Sequence, residues 1–211
     1  MTMSTFNRYL TLLLTLLALQ ACQTRPAPAP EPAIVEAPAT TPPLAQPVDL
    51  NYLRYDEAVI ALKAGKLEEA IELLTRLSVD APQLEFLFTN LGLAYFRLEQ
   101  FEPAELAFQR AIANNDDDAV AFNHLGILQR QKGQFDEARK HYQRAIDIDQ
   151  NYAAAQLNLG ILFDIYFQDL DKALLQYQKY LALIQQEDTR VAGWIVDIER
   201  RIKPASTQSQ G

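Results

Sequence analysis

Residues 85–118 read EFLFTNLGLAYFRLEQFEPAELAFQRAIANNDDD, and residues 119–152 read AVAFNHLGILQRQKGQFDEARKHYQRAIDIDQNY. The second stretch repeats the first at a spacing of 34 residues. Leu91-Gly92 returns as Leu125-Gly126, Tyr95 as Gln129, Phe101 as Phe135, Ala104 as Ala138, Phe108 as Tyr142 and Ala111 as Ala145. A period of this length points to stacked helical units, none of which buries its apolar face alone. The small residues carry a packing meaning. Gly92 and Gly126 on a first helix, and Ala104 and Ala138 on a second, let two backbones approach. Phe108 and Tyr142 then fill the space between one helix pair and the next.

This pattern resembles the tetratricopeptide repeat (TPR), a helix–turn–helix unit. The resemblance covers residues 51–187 and implies an all-α, right-handed superhelix of four repeats, 51–84, 85–118, 119–152 and 153–187. The first repeat keeps Gly65, Leu67, Ala70 and Pro82 but has Glu57-Ala58 where Leu-Gly stands in its neighbours, as suits a terminal unit. In the fourth, Ala173 follows Ala138 by 35 residues, which places an extra residue in the turn at Phe167-Gln168-Asp169. Tyr180 there replaces the small residues Ala111 and Ala145, so that end packs differently. Pro103 fits the first turn of a helix, where its missing N–H costs nothing. Gly65 and Gly133 mark turns, and Asp116-Asp117-Asp118 is expected to cap the next helix. Those aspartates lack the glycine and distal glutamate of a calcium loop.

Residues 188–203 read as a capping helix. Val191, Trp194, Ile195, Ile198 and Ile202 fall on one face, with the single Trp expected in the core. Pro204 ends it, and 204–211 is a polar tail expected to be disordered.

Two segments precede the repeats. Residues 1–21 carry Arg8 and then an apolar run, Tyr9 to Leu19, too short to cross a bilayer as a helix. This reads as a signal sequence. Its end, Leu19-Gln20-Ala21-Cys22, resembles the lipobox of bacterial lipoproteins. That resemblance implies cleavage before Cys22 and acylation, palmitate included, of the chain's single cysteine. Gln23 stands where inner-membrane lipoproteins carry Asp, so the resemblance implies the periplasmic face of the outer membrane. Residues 22–50 hold eight of the eleven prolines and no glycine, so a disordered, semi-rigid tether is expected there. At roughly 3.1 Å per residue it spans on the order of 80 Å.

Charge and motifs narrow the function. The 211 residues carry a net charge of -8, and an acidic surface is unsuited to a phosphate backbone, so no nucleic-acid partner is expected. There is no phosphate-binding glycine loop, GxSxG or HExxH. His124 and His141 fall on different helices without accompanying ligands. An enzyme, a metal and a cofactor are not expected. By the TPR resemblance, first helices line a concave face where partners lie. The matching positions are Tyr55 and Lys63; Phe86, Asn90, Leu93, Phe96 and Arg97; Asn123, Ile127 and Arg130; and Asn158 and Ile161. Val59, Leu62, Thr89, His124, Asp164 and Ile165 stand beside them. The face is apolar, with Lys63, Arg97 and Arg130 as a basic line suited to a peptide with apolar anchors and an acidic group. The Lys/Asn carboxylate clamp of chaperone-binding TPRs is incomplete. The expected function is a membrane-anchored periplasmic adaptor. It is similar to the pilotin-type lipoproteins of type IV pilus biogenesis, or to TPR lipoproteins that scaffold peptidoglycan hydrolases and proteases. A third reading is a module that self-associates through an exposed repeat end such as Tyr180.

Overall fold

Short polar residues set where the helices start. Asp49 accepts from the Asn51 amide at 2.8 Å, Asp118 from Ala121 at 2.9 Å and Asp169 from Lys172 at 3.2 Å. Each satisfies an amide that the first helical turn leaves unpaired. In the computed structural model, which describes residues 49–202, the helices pair in hairpins. These are α1 (Leu50–Lys63) with α2 (Leu67–Asp80), α3 (Leu87–Arg97) with α4 (Phe101–Asn114), and α5 (Ala119–Gln131) with α6 (Phe135–Ile148). The fourth hairpin joins α7 (Ala153–Ile161), which runs on through a π-helical stretch (Leu162–Phe167), to α8 (Leu170–Leu183). A last helix, α9 (Thr189–Ile202), packs on α8. There is no strand among the described residues. Cys22, the expected signal sequence, residues 22–48 of the expected tether and the C-terminal tail lie outside the described residues; Asp49 and Leu50, expected in the tether, instead cap and begin α1.

The hairpins turn in one way. Gly65, Glu99, Gly133 and Gln168 occupy the left-handed region, with φ of 78°, 58°, 74° and 53°. After the first three, the next amide reaches back five residues: Lys66 to the Ala61 carbonyl, Gln100 to Tyr95 and Gln134 to Gln129, at 2.9–3.0 Å. This is the Schellman closure of a helix end. In the fourth, Asp169 reaches back six, to Phe163, at 3.0 Å. The extra residue therefore lies upstream of the turn, which corrects its expected place at Phe167-Gln168-Asp169. It is taken up by the π-helical stretch, where one added residue widens a single helical turn and leaves the next helix unchanged.

Packing within each hairpin rests on a missing side chain. A Cβ added to Gly92 would sit 2.6 Å from the Phe108 ring, one on Gly126 2.6 Å from Tyr142, and one on Gly160 2.7 Å from Tyr177. Those three rings are buried. In the first repeat the pair is exchanged. Ala58 stands at the glycine position and Leu74 at the ring position, both fully buried. Small against large becomes medium against medium, and the volume is conserved.

Successive first helices (α1, α3, α5, α7) touch one another, whereas successive second helices share no comparable contact. The stack therefore curves with the first helices on its inner side. At the far end Val191 and Ile198 of α9 are buried. Trp194 is not core: it is 36% exposed and lies at the edge of the cap, its ring 5.4 Å from that of Tyr177. The cap is too narrow to enclose an indole one turn off its buried line. Tyr180 is half-buried and donates to Asp188 at 3.1 Å, so it fastens the cap rather than presenting an open end.

Two substitutions test this packing by urea unfolding. Gly126→Ala drives a methyl into the buried Tyr142 ring and is expected to cost about 1–3 kcal/mol. Glu99→Gly relieves a left-handed, non-glycine turn and is expected to stabilise by about 1 kcal/mol.

Candidate partner-binding face

One residue per repeat builds a row along the inner side. Val59, Leu93, Ile127 and Ile161 are each 34 residues apart and each half-buried. A helical stack with a fixed repeat places equivalent positions side by side, so the row is continuous across all four first helices. Phe96 lies beside it, with its ring 5.7 Å from Phe101 and 5.3 Å from His124. Lys63 and Arg97, also one period apart, are exposed at one end of the face.

Polar side chains join the first helices. Asn90 donates to the Tyr55 hydroxyl at 2.7 Å across the first junction, and Asn158 to the Asn123 carboxamide oxygen at 2.9 Å across the third. At the middle junction His124 occupies the corresponding place and makes no such bond. Its Nδ1 lies 2.8 Å from the Val120 carbonyl, and its ring stacks on Phe108 at 5.1 Å. Burial pushes His124 below its ordinary pKa of 6.5, against the upward pull of the Val120 carbonyl and Asp118. His141, on α6, is also pushed down by burial.

Several expected contact residues are committed to the fold. Asn123 is 2% exposed and is held between Asn158 and the Tyr152 hydroxyl, so it faces no partner. Leu62 is buried as well. Arg97 donates to the Leu62 carbonyl at 2.6 Å, a second bond on an acceptor that already takes the Gly65 amide at the end of α1. Arg130 is half-buried and donates from Nε to the Tyr142 hydroxyl at 3.4 Å. The basic line is thus in large part a set of structural ties, with Lys63 its freest member. Asp164 accepts from Arg201 of the cap and from Tyr177. Phe86 is not on the inner face. It precedes α3 in a left-handed conformation, φ 57°, and lines a ≈560 Å³ cleft at the loop edge with Pro82, Phe88, Asn114 and Asp118.

Sequence reasoning missed Tyr166. It is 39% exposed and packs on Phe135 at 4.3 Å beside the inner face. The 35-residue spacing signalled an insertion, but only the π-helical path shows which side chains it carries round. Among the described residues no cluster of three His, Cys, Asp or Glu side chains is placed to hold a metal ion, and no helix is long and apolar enough to cross a membrane.

Models of the tetratricopeptide repeat match residues 87–118, 107–140 and 128–163. The chain carries tetratricopeptide repeats. Solved TPR structures align along this domain. MamA is 26% identical with a TM-score of 0.56, over 63% of this chain and 77% of MamA. MamA 41-end from Desulfovibrio magneticus RS-1 shares the fold at 19% identity, TM-score 0.62, over 73% and 86% of the two chains. The first TPR of Spaghetti (RPAP3), bound to the HSP90 peptide SRMEEVD, is 28% identical with a TM-score of 0.51, over 54% and 90%. No curated protein matches the chain in sequence. TPR domains are typically interaction scaffolds, and this one is a protein-interaction module.

The half-buried imidazoles of His124 and His141 are expected to give the TPR domain a pH dependence. Their folded-state pKa values lie below the unfolded one, so the unfolded chain binds more protons as pH falls. Their contribution is complete above about pH 6.5 and declines as pH drops through that value. His124→Asn, the residue found at positions 90 and 158, is expected to flatten the loss of stability between about pH 7.5 and 5. Denaturant titrations across that range check it, and His141 accounts for the remaining slope.

Proposed function

We propose that the TPR domain is a non-catalytic adaptor that receives a peptide segment of a protein partner along its inner face. We propose further that acyl chains on Cys22 tether it to the periplasmic face of the outer membrane. The observation that carries the first reading is the row Val59, Leu93, Ile127 and Ile161, one aliphatic per repeat with Phe96 alongside. An extended or helical peptide laid across four first helices meets one apolar site per repeat, which is helix-in-groove recognition run over a solenoid. Exposed Lys63 and the outer edge of Arg97 favour an acidic group near the first two repeats. The RPAP3 domain, solved with a peptide, supports this use of the fold.

The lipoprotein reading rests on Leu19-Gln20-Ala21-Cys22 after an apolar run, and on the proline-rich stretch beyond it. Several acyl chains meet the requirement that stable anchoring needs more than one. A stalk and an interaction domain suit envelope assembly, as in pilus or secretion-system biogenesis. The alternative is a scaffold for peptidoglycan hydrolases or proteases, which uses the same face.

Leu93→Asn with Ile127→Asn makes the row polar at half-buried positions while keeping the number of side-chain heavy atoms. Pull-down from solubilised envelope is expected to lose one partner relative to wild type, with helicity preserved by circular dichroism. An unchanged set of partners removes the inner face as the docking surface. Charge reversal at Arg97 or Arg130 is a poorer probe, because it breaks bonds to Leu62 and Tyr142. Cys22→Ser is expected to abolish acyl labelling and release the protein from membranes. A protein that still fractionates with membranes argues against the lipid anchor.

A further inference from the structure

The two ends of the stack are finished differently. The last repeat lies under α9, with Val191 and Ile198 buried against it. The first repeat has nothing over α1 among the described residues. Leu84 and Leu87, at the entry to the second repeat, are 6% and 0% exposed beneath the first. Leu50 and Leu53, one period earlier, are 62% and 47% exposed, and Ile60 further along the same face is 66% exposed. These residues hold the positions of an internal junction without the junction. They lie on a different side of α1 from Val59, so this surface is distinct from the peptide face.

We propose that this face of α1 pairs with α1 of a second copy of the chain, antiparallel about a two-fold axis. An isologous contact requires a surface complementary to itself. Along the face stand Leu50, Leu53, Arg54, Glu57 and Ile60: aliphatics at both ends, one cation and one anion between. Turning the helix end for end about a point level with Tyr55 sets Leu50 against Ile60 of the second copy. It also brings Arg54 beside Glu57, and each contact occurs twice. A parallel pairing instead sets Arg54 on Arg54 and Glu57 on Glu57, which repel. Arg54 is not locked elsewhere: its nearest partner, Asp80, lies 3.9 Å away, and both side chains are more than half exposed. The proline-rich sequence leading into α1 offers Ile34, Val35, Leu44 and Val48 as its larger aliphatics, scattered among prolines that resist packing as a helix on α1. At the opposite end the last repeat is already covered by α9, and Tyr180 is tied to Asp188.

Sedimentation equilibrium of the full chain in a density-matched detergent tests the pairing. The wild type is expected at twice the monomer mass. Arg54→Glu and Glu57→Arg, each alone, place like charges together and are expected to raise the dissociation constant about tenfold or more. The double exchange Arg54→Glu with Glu57→Arg restores opposite charges and is expected to return the dimer. Both positions are exposed, so circular dichroism is expected to show unchanged helicity. A monomer at every concentration overturns the proposal. So does a dimer that neither single substitution weakens, which places the contact on residues 1–48 or another face. Failure of the double exchange to restore the dimer overturns the antiparallel pairing.

Discussion

Each hairpin from the second onward depends on a glycine pressed against an aromatic ring. Gly92 on Phe108, Gly126 on Tyr142 and Gly160 on Tyr177 leave no room for a methyl group. The contact sets how closely the two helices of a repeat approach, and the remaining packing is built on that distance. The buried alanines Ala104, Ala138 and Ala173 sit at the same interface. The rings are large enough to reach the next repeat, as the stacking of His124 on Phe108 shows. A single steric choice, repeated at a fixed period, thereby sets both the hairpin and its neighbour.

Between repeats the joints are less uniform. The first and third junctions use an asparagine amide between first helices, while the middle one uses an imidazole packed among aromatics. Lys132 and Gln129 of the third repeat both bond Glu105 of the second, a polar tie where the second repeat has Tyr95 instead of Gln129. A stack stabilised by nearest-neighbour contacts tolerates such variation, because each junction is solved locally. The inner face inherits the result. Its aliphatic row is regular since it lies beside the joints, whereas its polar residues are drawn into them.

Much of this was legible from the chain because the relevant physics is periodic. The 34-residue spacing, the paired glycines and rings, and the cap by Asp118 are local or repeated features. The features that escaped depend on three-dimensional accounting. The 35-residue spacing announced an insertion, but whether a turn or a helix absorbs it is decided by the αL residue at Gln168 and the bond from Asp169 to Phe163. The hydrophobic line of α9 included Trp194, but how much of that line a single helix covers depends on cap width. Among the site residues, Leu93, Ile127 and Ile161 are where the pattern places them. Asn123, Arg97 and Arg130 have partners within the fold, which a list of positions does not reveal.

Asp118 links two of these levels. Its carboxylate accepts from the Ala121 amide at the start of α5 and also from the Thr89 hydroxyl on α3, and it is 3% exposed. The first bond begins a helix; the second docks one repeat on the next. Because one buried carboxylate makes both, one with each oxygen, fraying at the start of α5 wets the tie to α3, and detachment of the second repeat wets the cap of the third. In a stack whose cooperativity is otherwise only as long-ranged as its interfaces are strong, this favours opening of the two central repeats together.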